Sequence, residues 1–161
     1  MAEFECTVCG RCCMGMGRYV KVTGVMGPDK YAAIHGISNE TFYPVVLKAF
    51  RGDFDIDKMK VEQGWCPFLM DADDEGKYYC AVHDTIPEFC RKYKCVSMRF
   101  YKSETIAGSL RGRTTLVSDD GALKSLWDNS VMTFPVDDYA AWKENLKKVL
   151  SDNGYTVEDY D

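Results

Sequence analysis

Toward the C-terminus the apolar residues Tyr139, Trp142, Leu146, Val149 and Leu150 recur at intervals that place them on one helical stripe. Asp137 and Asp138 stand at the end where a helix dipole favours negative charge, and Lys147 and Lys148 stand at the other. Gly154 follows as a stop, so a helix is predicted over roughly residues 137–152. Phe42, Val45, Val46, Ala49 and Phe50 are likewise spaced to share a face, which predicts a helix from Asn39 to Arg51. Another helix is predicted from Pro28, suited to a first helical turn, to Gly36, with His35 near its terminus. Arg18 to Thr23 alternates like a short strand. After Gly64 the pattern turns to β: Trp65–Met70 and Lys77–His83 flank an acidic, glycine-ended turn and predict a hairpin. Asp84 or Thr85 is placed to cap a short helix that opens with Pro87 and carries Cys90. Residues 104–117 read as extended, residues 4–17 as a cysteine- and glycine-rich loop, and Glu158-Asp159-Tyr160-Asp161 as a solvated acidic end.

Composition narrows this picture. With 46% apolar and 13% aromatic residues, the 161-residue chain can bury far too much surface to be disordered. Its apolar runs fall well short of the ~20 residues a membrane helix needs. The start shows no basic patch followed by an apolar stretch, so the expected location is cytoplasmic. The net charge of −5 lies almost wholly in the last quarter, and no basic stripe interleaves with aromatics. This argues against a nucleic-acid partner.

The cysteines carry the chemistry. Cys6, Cys9, Cys12, Cys13, Cys66, Cys80, Cys90 and Cys95 make up eight in all, below the ~8–10% of a disulfide scaffold, and none follows Cys95. Cys6-x2-Cys9-x2-Cys12-Cys13 has the two-residue spacing that lets neighbouring thiolates converge on one metal from a tight loop. Gly10 allows the sharp turn, and the cadence resembles the opening of a ferredoxin-type cluster loop. In an extended backbone Cys12 and Cys13 would point opposite ways, so that they serve different centres or one of them is a bystander. Cys66, Cys80, Cys90 and Cys95 form a second group, so two four-ligand sites, or one cluster and one zinc, are expected from all eight. The partly buried charge of a four-thiolate centre needs donors or cations, and Arg11, Arg91, Lys92, Lys94 and Arg99 are candidates. His83, two residues beyond Cys80, is a further ligand candidate but is read as a structural hydrogen-bonding side chain.

Three blocks together resemble a known family. The cysteine cadence, then Trp65-Cys66-Pro67-Phe68-Leu69, then Cys80-Ala81-Val82-His83 with Pro87-Glu88-Phe89-Cys90-Arg91, is similar to the CxxCxxCC family, the YkgJ-type zinc- or iron-chelating domain. That family in turn resembles a cysteine-rich part of flagellin lysine N-methylases. The resemblance spans about residues 4–95 and implies metal binding by the motif cysteines. The family usually has tyrosine where His83 stands and arginine where Ile86 stands, and residues 100–161 lie outside the match.

The expected architecture is α+β: a small, loop-rich, metal-stapled cysteine domain over residues 1–101, with a short β-hairpin, and a helical C-terminal extension over 102–161. The expected function is a non-catalytic accessory protein holding an iron–sulfur cluster, 4Fe-4S by the spacing, or zinc. It would respond to redox state or oxygen through docking on a protein partner. A metal- or cluster-dependent electron-transfer enzyme and a purely structural zinc module are the alternatives. No catalytic residue is identified, since neither a nucleophile elbow nor a dinucleotide fingerprint occurs.

Overall fold

The computed structural model describes residues 2–57 and 63–161. Its elements run α1 (Cys13–Met16), β1 (Val20–Val25), β2 (Tyr31–His35), β3 (Glu40–Phe42), α2 (Glu88–Lys92), β4 (Met98–Lys102), β5 (Thr105–Arg111), β6 (Thr115–Ser118), α3 (Gly121–Asn129), α4 (Tyr139–Asp152) and β7 (Tyr155–Asp159). The fold is mixed α and β, with two small antiparallel sheets and short helices. Among the described residues no helix is long and apolar enough to cross a membrane. The chain divides into two units. One is Cys6–Tyr93, and the other joins the residues up to Glu5 with Lys94–Asp161.

In the Cys6–Tyr93 unit the sheet order is β1-β2-β3, with Val20 opposite His35 and Ala33 opposite Phe42. The helix expected over 28–36 is therefore a strand. Tyr31, Ala33 and His35 are buried at alternate positions, the period of two that a strand requires. Pro28 lies in the turn that leads into it. The helix expected over 39–51 is also absent, replaced by β3, an extended stretch through Pro44, and one 3-10 turn at Lys48–Phe50. Pro44 explains this, because in a helix interior it lacks the N–H and clashes with the preceding turn. The predicted hairpin narrows to one antiparallel bridge, Leu69 with Cys80, flanked by Met70 N–H to Tyr79 O (2.8 Å) and Ala81 N–H to Phe68 O (2.8 Å). His83 lies beyond it, in a 3-10 turn. The core of this unit gathers Val20, Tyr31, Ala33, Phe42, Val46, Phe68, Ala81 and Val82. The Phe68 ring lies 5.9 Å from that of Tyr31 and 6.2 Å from that of Phe54.

The other unit has sheet order β6-β5-β4-β7. Met98, Phe100, Leu110, Leu123, Trp127, Trp142, Leu146 and Leu150 pack together as its core. The C-terminal helix forms as the stripe predicts, and Asp138 caps it by accepting Ala141 N–H. The acidic end is not solvated. Glu158 and Asp159 belong to β7, and Tyr160 is fully buried. Asp159 is held at 3.0 Å by Lys143 and 2.9 Å by Lys147, and Glu158 accepts the hydroxyls of Tyr101 and Tyr160. Arg99 is buried in this unit, its guanidinium 4.8 Å from the Phe4 ring centre and donating to Glu5 O.

Candidate functional site

Backbone hydrogen bonds lace three cysteine-bearing segments together. Around Cys6, Val8 and Gly10 take positive φ values of 51° and 74°, and Val8 donates its N–H to Cys6 Sγ at 3.3 Å. A β-branched residue in the left-handed region is strained, and such strain collects at functional loops. Tyr78 N–H donates to Val8 O at 2.7 Å, and the Tyr78 ring fills the space a Gly10 side chain would need. Cys13 opens the single turn of α1, and its carbonyl accepts Cys66 N–H at 2.7 Å. Gly17, one residue past α1, donates to Gly64 O at 3.0 Å, with the 64–65 backbone pressed against its Cα. The Leu69–Cys80 bridge then sets Cys80 beside the same strip.

Cys90 arrives on α2. Neither Asp84 nor Thr85 caps that helix. Thr85 Oγ1 instead accepts Val45 N–H at 2.9 Å. The cap comes from β3: both Glu40 carboxylate oxygens accept Glu88 N–H, at 2.9 and 3.0 Å. Beside them the fully buried His35 stacks on Phe89, ring centres 4.3 Å apart, and burial keeps its imidazole below the usual histidine range. Glu40→Ala is expected to cost about 1 kcal/mol in denaturant unfolding. Glu40→Gln, which keeps one acceptor, should recover about half of that.

The thiols so placed sense one another. Burial, then the charges of Cys80, Cys12, Cys90 and Cys6, pushes Cys13 up to about 12. Cys66 is raised further, first by burial and then by Cys80, Cys13 and Cys90. Cys80 and Cys90 are each pushed up to about 11, again by burial first. Cys6, Cys12, Cys13, Cys66, Cys80 and Cys90 thus form one group of electrostatic neighbours. Exposed Cys9 does not figure among these neighbours, and Cys95 belongs to the other unit. Cys12 and Cys13 are not split by an extended backbone. Cys12 is helical (φ −66°, ψ −44°), so the two side chains diverge by only about 100° around the turn.

Three of the sulfurs accept the amide two residues ahead: Cys6 from Val8, Cys66 from Phe68 and Cys80 from Val82. Phe68 and Val82 are core residues, so the hydrophobic interior fixes the donors that would stabilise thiolate charge. Of the candidate cations Arg11 is exposed, and the other four have partners of their own. Arg91 and Lys92 pair with Glu88, while Lys94 donates to Tyr160 O and Arg99 to Glu5 O within the other unit. His83 is exposed.

The donor set is chemically suited to a soft or borderline metal, being thiol-only with amide donors behind it. Among the described residues, however, no three Cys, His, Asp or Glu groups converge closely enough to hold an ion. The thiols are gathered without being closed around a point. Since the protonated thiol is the neutral form, raised values mean that these groups favour the fold while protonated. With a chelator and reductant present, their contribution should be full below the ordinary 9.0 and fall away as pH rises through about 11 to 12. Denaturant unfolding between pH 7 and 11 checks this, and the midpoint should decline above pH 9.

Glu40 and Gly17 escape a reading of local spacing. Glu40 acts 48 residues away, whereas Gly17 had a signal in its place directly after the cysteine loop. No family model, no curated protein and no solved structure matches this chain.

Proposed function

We propose that Cys6–Tyr93 is a thiolate metal-binding module, holding an iron–sulfur cluster or zinc, within an accessory protein that answers redox state or oxygen by docking on a protein partner. One observation carries this reading: six thiols from four separate segments are electrostatic neighbours, and three of them accept backbone amides. Packing alone does not call for such a group, because buried free thiols need no amide donor and gain nothing from one another's proximity. The likeness of the motif blocks to CxxCxxCC proteins points the same way.

The ligands would be Cys13, Cys66, Cys80 and Cys90, with Cys6 and Cys12 beside them. The metal would supply the cross-link between loops and, on oxidation, a change of charge and ligation. Exposed Cys6 puts the edge of the group where oxidants and a partner surface can reach it. Metal and acid-labile sulfide analysis of anaerobically purified protein, with its visible spectrum, tests the reading. Stoichiometric zinc or iron is expected, and protein without either overturns it. Partner affinity that is identical in aerobic and anaerobic preparations removes the sensing role.

A further inference from the structure

The four-stranded sheet has two edges, and the chain treats them differently. At β7 the amide of Ala2 donates to Asp159 O at 2.9 Å, so backbone covers that side. At β6, the other edge, no strand among the described residues pairs with the outer side of Thr115–Ser118. A bare row of N–H and C=O groups is a template for a further strand, and folded proteins discourage it with charge, proline, a bulge or a short edge. β6 is short, but its Thr-Leu-Val-Ser has neither charge nor proline and pairs with β5 in unbroken register. Thr115 and Val117 are exposed on one face, as the period of two requires. Val117 and the exposed Ile106 line a recess of about 450 Å³ that Ser109 and Asp119 share. Charge stands just outside the strand, with Arg113 before it and Asp119 after it. Both are exposed, and among the described residues neither is in an ion pair. The Arg113 guanidinium lies 4.6 Å from the Tyr139 ring centre, which holds the positive charge at the start of the strand.

We propose that β6 is a homodimerisation edge: two copies of the chain pair their β6 strands antiparallel about a two-fold axis at Leu116, fusing two four-stranded sheets into one. The occupant is a second copy because the ends of this edge complement each other. A two-fold axis normal to an antiparallel ladder sets one residue opposite itself, and every other contact is then made twice. With Leu116 on the axis, Thr115 faces Val117 of the second copy, and Arg113 is brought to Asp119 of the second copy. Both ion pairs close, and the threonine covers the recess beside Val117 and Ile106. With Val117 on the axis Arg113 would meet Gly121, and with Thr115 on the axis it would meet Val117, so neither neighbouring register satisfies the charges. Cross-strand pairs of β-branched residues and of opposite charges are the contacts that stabilise such a ladder. So few of them make a reversible dimer rather than an obligate one. The proposal stands apart from the metal module, since all of its residues belong to the other unit.

The test is sedimentation equilibrium of the full chain, purified anaerobically and kept in reductant so that no disulfide links two copies. A monomer–dimer equilibrium is expected. Hydrogen exchange read by mass spectrometry at low and high protein concentration should slow in residues 114–118 as the dimer forms and stay unchanged in α4. Arg113→Glu and Asp119→Arg should each weaken the dimer at least about tenfold, because the axis makes each substitution act twice. The double variant, which exchanges the two charges, should recover the parent affinity to within about threefold. Val117→Lys places a charge on the edge and should also give monomer. Circular dichroism and the unfolding midpoint show that each variant is folded. A chain that stays monomeric at every concentration overturns the proposal and leaves the edge to a strand of some other protein. A dimer insensitive to all three single substitutions, or one that gains no protection in residues 114–118, overturns the assignment to β6. Single variants that weaken the dimer without recovery in the double variant overturn the register at Leu116.

Discussion

Stripping metal from anaerobically purified protein with a strong chelator is expected to abolish slow amide exchange across residues 6–93 and to leave β4, β5, β6 and β7 protected. The difference follows from what holds each unit. Between Tyr43 and Pro87 the described residues of the cysteine unit contribute isolated bridges and 3-10 turns, not strands. A structural thiolate site contributes ~10–16 kcal/mol of apparent binding energy at neutral pH, comparable with the ~5–15 kcal/mol that stabilises a whole domain. The other unit carries its own core of Phe100, Leu110, Trp127, Trp142 and Leu146, and its only cysteine is Cys95. Hydrogen exchange read by mass spectrometry checks the prediction segment by segment. Protection that is unchanged in residues 6–93 would show that their apolar core suffices without metal.

The second large effect is expected from a single methyl group. A Cβ at Gly17 would stand 2.1 Å from the Trp65 carbonyl oxygen and 2.6 Å from its carbon, atoms that belong to backbone and cannot swing aside. Relief requires residues 64–66 to move, which stretches the Cys13–Cys66 hydrogen bond and separates two of the gathered sulfurs. Gly17→Ala should therefore cost ~1–3 kcal/mol or more from overpacking and lower zinc affinity at least tenfold. Gly15→Ala provides the matched control, because nothing lies within 4 Å of its added methyl. Placed inside the α1 turn, it should be neutral or stabilise by up to ~1 kcal/mol. Denaturant unfolding and a competitive zinc titration of both variants separate the outcomes, and equal behaviour would refute the proposed role of close backbone approach.

Which parts of this fold the sequence reveals depends on how local their causes are. The helix α4 was legible because its stripe, its capping aspartate and its terminal glycine agree within one continuous segment. β1 was legible for the same reason. The helix expected over 39–51 failed on a visible residue: its apolar spacing is real, but Pro44 overrides it. The helix expected over 28–36 failed because its local propensities conflict, Ala favouring helix and Tyr strand, and the pairing partners that decide it lie on β1 and β3. α3 went unread although Asp120 caps it and Leu123 and Trp127 sit four apart on its buried face. The acidic end looked solvated because its cations, Lys143 and Lys147, precede it by more than a helical turn.

The cysteine pattern names eight thiols, and the fold sets six of them as electrostatic neighbours. Spacing alone gave Cys9 and Cys95 the same standing as Cys13. The distinction comes from the backbone hydrogen bonds that tie α1 and Gly17 to residues 64–66, which are tertiary and leave no mark in spacing. Glu40 was invisible for the same reason, since the helix it caps begins 48 residues later.

The central claim, that sulfur–metal bonds gather residues 6–93, is tested most directly by X-ray absorption at the edge of whichever metal the anaerobically purified protein retains. The account predicts a first shell made only of sulfur, at ~2.3 Å for zinc, with that shell lost in Cys13→Ser. A first shell of oxygen and nitrogen, or a sulfur shell unaffected by that substitution, would contradict it.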